Sequence, residues 1–271
     1  MVRTFAVRLR LPLDLDPMKS SLRIAASQFP VSGNIARNER YIKTQMKEAA
    51  KKDVQVIQFP ETSLSGYGPS HYESFNNFKW DILDHHTQNI CGLASSLNLW
   101  VILGSMRLVG SESPRNCVHV ISNTGVILGT YDKQRLHNYE KKYYSPRNEP
   151  LLIEINGFRC GFLICYDNCY PELYDVYRNM GAGLLFHSFH NAGNQCATSI
   201  KDLMLATLIV RAADNQMWIA ASNSSKRYSP LSACIVRPDG SMVRSSRNVS
   251  AIIIDEYPKA ELGWTYDNRK I

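Results

Sequence analysis

Three apolar stretches of this sequence close on a side chain that can do chemistry. "VIQFPE" ends at Glu61, "VILGTYDK" at Lys133 and "FRCGFLIC" at Cys165. The carboxyl ends of buried strands are where open sheets place their ligands. A carboxylate, an ammonium and a thiol are the parts of a nucleophilic site. A free thiol of pKa about 8.5 is only a few per cent thiolate at neutral pH, so a reactive cysteine needs a base and an electrostatic partner. Taken singly, each has a plainer reading: Glu61 as a capping or loop carboxylate, Lys133 as a surface charge, Cys165 as a small core residue. Together they define a candidate constellation.

The elements that must position them follow from periodicity. "LRIAASQ" reads as a first strand. Asn34 then offers an N-cap for a helix whose apolar residues Ile35, Ile42, Met46, Ala49 and Ala50 run to Lys52, and "VQVIQF" is a second strand ended by Pro60. A loop rich in Gly, Ser and Tyr leads to a helix predicted between Asp84 and Leu97 and a strand in "LWVILGSMRL". "NCVHVIS" and "GVILGTYD" read as a hairpin, and Asn156-Gly157 between "LLIEI" and "FRCGFLIC" is a strong hairpin signal. After Cys165, Pro171 suits the first position of a helix and Glu172 favours its positive end. A strand "GLLFHSF", a helix from about Thr198 to Gln216 and closing strands complete the pattern. Parallel crossovers mixed with antiparallel hairpins point to an α/β or α+β sandwich. Residues 1–20 read as an N-terminal extension and 21–271 as a single domain.

Composition excludes several classes. The net charge of +7 is spread over small clusters, with no basic stripe interleaved with aromatics, so no nucleic-acid partner is expected. No apolar run approaches the ~20 residues that span a bilayer, and no membrane association is expected. Seven cysteines in no regular framework fit reduced thiols in a cytoplasmic setting.

The three strand ends carry a resemblance to the nitrilase, or carbon–nitrogen hydrolase, superfamily. Glu61 falls in "FPE" followed by a Gly-Tyr pair, Lys133 in "YDK", and Cys165 in "CYDNCYPEL" followed by "GAGLL". The likeness runs from "LRIAASQFPVSGN" to the closing strands, and "RAADNQMWIAASN" is similar to the family's late helix–strand segment. Arg135 stands where the family often has histidine. The resemblance implies a four-layer α-β-β-α sandwich and a Glu61-Lys133-Cys165 triad. It also implies a second, assisting glutamate, placed at Glu140 with Glu149 as the fallback, and an oxyanion donor in the backbone N–H of Tyr166. It implies hydrolysis of a small amide, ureido compound or nitrile through a cysteine thioester, with the "CYD" context closer to the amidase branches. No metal or organic cofactor is implied, and subunits are expected to form a homodimer or higher homo-oligomer through helices near the nucleophile.

Tyr67, His71 and Tyr72 after the first motif, and His187, His190 and Asn191 after a later strand, are the expected pocket residues. Rival readings are a metal site built on Cys160, Cys165, Cys169, His187 and His190, and a catalytically silent binding subunit. Cys160 and Cys165, in and at the end of one strand, face opposite ways, which disfavours a shared metal.

Overall fold

The structure is a computed structural model that describes residues 21–110, 112–192 and 201–258. The expected extension over residues 1–20, the expected helix start at Thr198, and Cys196 lie outside the described residues.

Alternation along the first strands sets up the layers. The first half contains, in chain order, β1 (Ser21–Phe29), α1 (Ile35–Ala50), β2 (Val56–Gln58), α2 (Gly68–His71), α3 (Trp80–Leu97), β3 (Trp100–Arg107), β4 (Arg115–Ile121) and β5 (Ile127–Asp132). Leu22, Ile24 and Ala26 of β1 face one core, while Ala25 and Phe29 face another; Val56 against Ile57 and Ile102 against Val101 repeat the split. Side chains alternate across a strand, so a sheet with both faces apolar must be covered twice. The outer cover is α1 and α3, which bury Ile42, Met46 and Ala49 and Leu83, Ile90 and Ala94. Asn34 caps α1, its side chain accepting from the Arg37 N–H at 2.9 Å.

The second half contains β6 (Leu152–Ile155), β7 (Phe158–Ile164), α4 (Pro171–Asn179), β8 (Leu184–Ser188), α5 (Lys201–Asn215), β9 (Trp218–Ser224), β10 (Cys234–Val236), β11 (Met242–Arg244) and β12 (Ala251–Pro258). Strand order is β5-β4-β3-β2-β1-β9-β8-β7-β6, with β10 and β11 added beyond β9 and β12 on β1. The halves join where β1 meets β9 in parallel, Gln28 opposite Asn223 and Phe29 opposite Ser224. Phe162 and Phe186 share the inner core with Ile24 and Ile102, and α4 and α5 add Tyr174, Tyr177, Leu208 and Ala212 from the far side. The result is the mixed α/β, four-layer α-β-β-α sandwich.

Two local outcomes bear on the sequence reading. Asn156 and Gly157 both take positive φ, 51° and 86°, as a tight hairpin requires. The helix expected from Asp84 starts earlier, at Trp80. Its first turn is anchored by rings rather than by a capping side chain, Phe78 and Trp80 lying 4.6 Å apart and Phe75 packing on both. On α4, Leu173, Tyr174 and Tyr177 are spent in the chain's own core, leaving Val176 as the exposed apolar residue at 38%. No helix among the described residues is long and apolar enough to cross a membrane.

Candidate active site

Glu61 sits one residue past Pro60, where β2 has run out. Its backbone is pinned across the sandwich, the Glu61 N–H donating to the Phe189 carbonyl at 3.2 Å. Thr62 follows with φ of 48°, turning the chain sharply away. Gly104 of β3 makes room for this turn: a Cβ there would lie 1.9 Å from the Pro60 carbonyl oxygen and 2.8 Å from the Thr62 nitrogen. Both are backbone atoms, so the clash cannot be relieved by a rotamer. Gly104→Ala is therefore expected to displace Glu61 and to cut turnover at least about a hundredfold, the size of effect that a ~1 Å misplacement can produce. A steady-state assay of the purified variant checks this.

Lys133 follows β5, whose last residue Asp132 is clamped by Arg107 through bonds of 2.8 and 2.6 Å. The Lys133 N–H donates to the Asn116 carbonyl, which turns the side chain inward to 1% exposure. There Nζ lies 2.8 Å from Glu61 Oε1 and 2.7 Å from Glu140 Oε1. Glu140 closes a single 3₁₀ turn, Asn138–Glu140, and is fully buried. Its Oε1 also accepts from the Tyr67 hydroxyl at 2.9 Å and its Oε2 from the His137 N–H at 2.7 Å. Glu149, the fallback for this position, lies on the surface with its side chain 64% exposed and paired with Arg147.

Cys165 begins a 3₁₀ turn, Cys165–Cys169, between β7 and α4, with φ of 44°. A left-handed backbone at a non-glycine residue costs of order 1 kcal/mol and persists only where its surroundings hold it. Asp167 does the holding. Its buried carboxylate accepts from Ile164 N–H at 2.9 Å, Arg135 N–H at 2.8 Å and the Tyr131 hydroxyl at 2.8 Å. The Cys165 thiol itself donates to Asn191 Oδ1 at 3.0 Å.

Burial pushes the Asp167 carboxyl up to about 6 from an ordinary 3.8. An unfolded Asp167 releases its proton at lower pH than the folded one, so its contribution to stability is complete below about pH 4 and lost as pH rises through about 6. The stability of wild type relative to Asp167→Asn is expected to fall by up to ~3 kcal/mol across that window. Urea titrations of both proteins at pH 4 and pH 7 measure it.

Three of the four groups line one cavity. Lys133, Glu140 and Cys165 line a space of about 1000 Å³ together with Tyr67, His190 and Asn191. Glu61 is wholly buried behind that wall, tied to Lys133 and to Asn116 Nδ2 at 2.7 Å, and its Oε2 has no hydrogen-bond partner among the described residues. Desolvation raises the Glu61 pKa against the pull of Lys133. For Lys133, burial acts downward but the carboxylates of Glu140 and Glu61 outweigh it and hold the ammonium well above its usual range. Burial and then the Glu61 charge push the Cys165 thiol up, partly offset by Lys133. A thiol and a carboxyl both pushed upward beside a fixed cation can exchange one proton without changing the net charge of the site.

The remaining expected pocket residues lie elsewhere. Tyr72 turns away, its hydroxyl donating to the Ser65 carbonyl at 2.6 Å, and with His71 it lines a separate surface cleft near Gly33 and Asn34. His187, opposite Leu163 in the β7–β8 register, sits beneath the Cys165 turn with Nε2 3.3 Å from the Cys165 carbonyl. Cys160 is sealed in the core and Cys169 is on the cavity wall. Among the described residues no group of three His, Cys, Asp or Glu could hold a metal ion. Asn116 carries no sequence motif, whereas Asp167 lies inside the cysteine motif, an acid two residues after Cys165 being its one local signal.

The family model for carbon-nitrogen hydrolases matches residues 23–263. The chain belongs to the carbon-nitrogen hydrolase family. Its sequence is 29% identical over 214 residues to a glutamine-dependent NAD(+) synthetase of Aquifex aeolicus, covering 75% of this chain but 35% of the relative. The chain thus spans about a third of that relative's length. It is 26% identical to the chloroplastic omega-amidase of Arabidopsis thaliana, over 91% of this chain and 70% of the relative. Among solved structures, the fold matches an amidase from Nesterenkonia sp. AN1 with a TM-score of 0.79 at 21% identity, over 94% of this chain and 95% of the other. That structure, a glutamate-to-glutamine variant, shows the acetamide moiety of fluoroacetamide bound covalently at its active-site cysteine.

Proposed function

We propose that this carbon-nitrogen hydrolase cleaves a small carboxamide through a thioester on Cys165. The observation that carries the reading is Lys133 Nζ held between Glu61 and Glu140 in the wall of the cavity that contains the thiol. Glu61 takes the Cys165 proton as general base through its Oε2, which has no partner among the described residues. The sulfur then attacks the amide carbon, and charge develops on the carbonyl oxygen. Lys133 supplies a fixed cation to that oxygen. The Tyr166 N–H, in the first turn after the nucleophile, supplies a second donor, because the first N–H groups of a helical turn have no acceptor within it. Glu61 returns the proton to the leaving nitrogen, ammonia departs, and a thioester remains. Water deprotonated by Glu61 attacks the thioester and frees the acid. Glu140 holds Lys133 and is itself held by Tyr67 and His137.

The amide reading is favoured by the omega-amidase likeness and by the acetamide adduct of the Nesterenkonia amidase. Ammonia release from a panel of simple amides, glutamine, ureido acids and nitriles tests it. Wild type is expected to release ammonia from amides and Cys165→Ala to release none. Equal release by both proteins, or release from nitriles alone, would overturn it.

A further inference from the structure

The proposed triad leaves a buried histidine of the cavity chemically unused. His190 is 5% exposed and lines the cavity with Cys165, and neither Nδ1 nor Nε2 has a hydrogen-bond partner among the described residues. Buried polar groups of native proteins are nearly always paired. His190 precedes Asn191, whose Oδ1 accepts from the Cys165 thiol at 3.0 Å, and its ring lines the cavity beside that sulfur.

The ring's place is fixed by its neighbours rather than by its nitrogens. Its centroid lies 4.9 Å from that of Tyr67 and 5.6 Å from that of His71, which meets it edge-on. Tyr67 is anchored through its hydroxyl to Glu140, and His71 Nδ1 accepts from the Tyr67 N–H at 2.9 Å. Packing therefore holds the imidazole while both nitrogens stay available. Burial first, then His71, Lys226 and Lys133, keep its pKa well below the ordinary value, so at neutral pH the ring is uncharged. A neutral imidazole offers one donor and one acceptor. It complements a group that also does both, a hydroxyl first among them, and offers an anion no countercharge.

We propose that His190 is a specificity-determining residue that selects amides carrying an uncharged hydroxyl on the carbon next to the scissile carbonyl. This rests on the amidase reading above, and the experiment separates the two. Lactamide and propionamide differ by that one hydroxyl. For wild type, kcat/KM is expected to favour lactamide about tenfold or more, the worth of one uncharged hydrogen bond. In His190→Phe, which keeps a ring against Tyr67, the ratio is expected to fall to about one; in His190→Gln, which restores a donor and an acceptor, it is expected to recover. Equal ratios in wild type and His190→Phe overturn the inference, as does a wild-type preference for malonamate, which carries an anion on the same carbon. Failure of wild type to turn over either amide counts against the amidase reading instead. The inference is then decided by binding to Cys165→Ala: lactamide, and not propionamide, is expected to shift the His190 imidazole nitrogen resonances, and their constancy overturns it.

Discussion

Lys133→Met is expected to lose both amide turnover and a large part of the protein's stability. The ammonium is 1% exposed and bonds to two buried carboxylates, Glu61 at 2.8 Å and Glu140 at 2.7 Å. Methionine fills similar volume but leaves those carboxylates facing each other without a cation. Removing one partner of a buried ion pair typically costs about 3–5 kcal/mol. On the reaction side, the developing oxyanion loses its charged donor, an effect of about 3–4 kcal/mol on the barrier, or at least a hundredfold in rate. The two losses can be separated. Lys133→Met/Glu140→Gln removes one of the stranded charges, so its urea midpoint is expected to move back toward wild type while its turnover stays lost. A single variant that keeps its activity would remove Lys133 from the mechanism.

Glu61→Gln carries the second large effect, and with a different signature. Glutamine retains an oxygen that can accept from Lys133 and Asn116, so the folded state should be little disturbed. What it cannot do is take a proton from sulfur. With both carboxylates ionised and Lys133 charged, the site has one excess negative charge; transfer of the thiol proton to Glu61 keeps that total. In the variant the thiolate would have to form with no such exchange. Loss of a general base of this kind is worth about 10²–10⁴ in rate, and it should fall on kcat rather than KM. Stability should move with pH in a defined sense. Desolvation raises the Glu61 pKa, so its contribution to stability is present at low pH and lost as pH rises through the raised value. Wild type should therefore lose stability relative to Glu61→Gln on going from pH 4 to pH 8. Paired kinetics and urea titrations read both effects.

The parts of this site that the sequence reveals are those written as local pattern. Glu61, Lys133 and Cys165 are legible because each ends an apolar run at a break in periodicity, and Asn156-Gly157 because its turn chemistry is self-contained. Tyr72 and His187 show where locality stops. The Tyr72 hydroxyl finds the Ser65 and Gly33 carbonyls, and His187 finds the Cys165 carbonyl only because β8 pairs with β7 in one register. A one-residue slip would send that histidine to the opposite face. Asn116 reaches Glu61 by the same kind of accident of pairing, β4 lying two strands away from β2. The union of β1 with β12, which brings the first and last described strands together, has no signal in either strand alone.

The most direct test is to ask which atom becomes covalently modified. Glu61→Gln, incubated with fluoroacetamide, digested and read by tandem mass spectrometry, should carry one acetamide group, and it should be on the sulfur of Cys165. Modification of Cys169, which shares the cavity wall, or of any residue other than Cys165, would contradict the account.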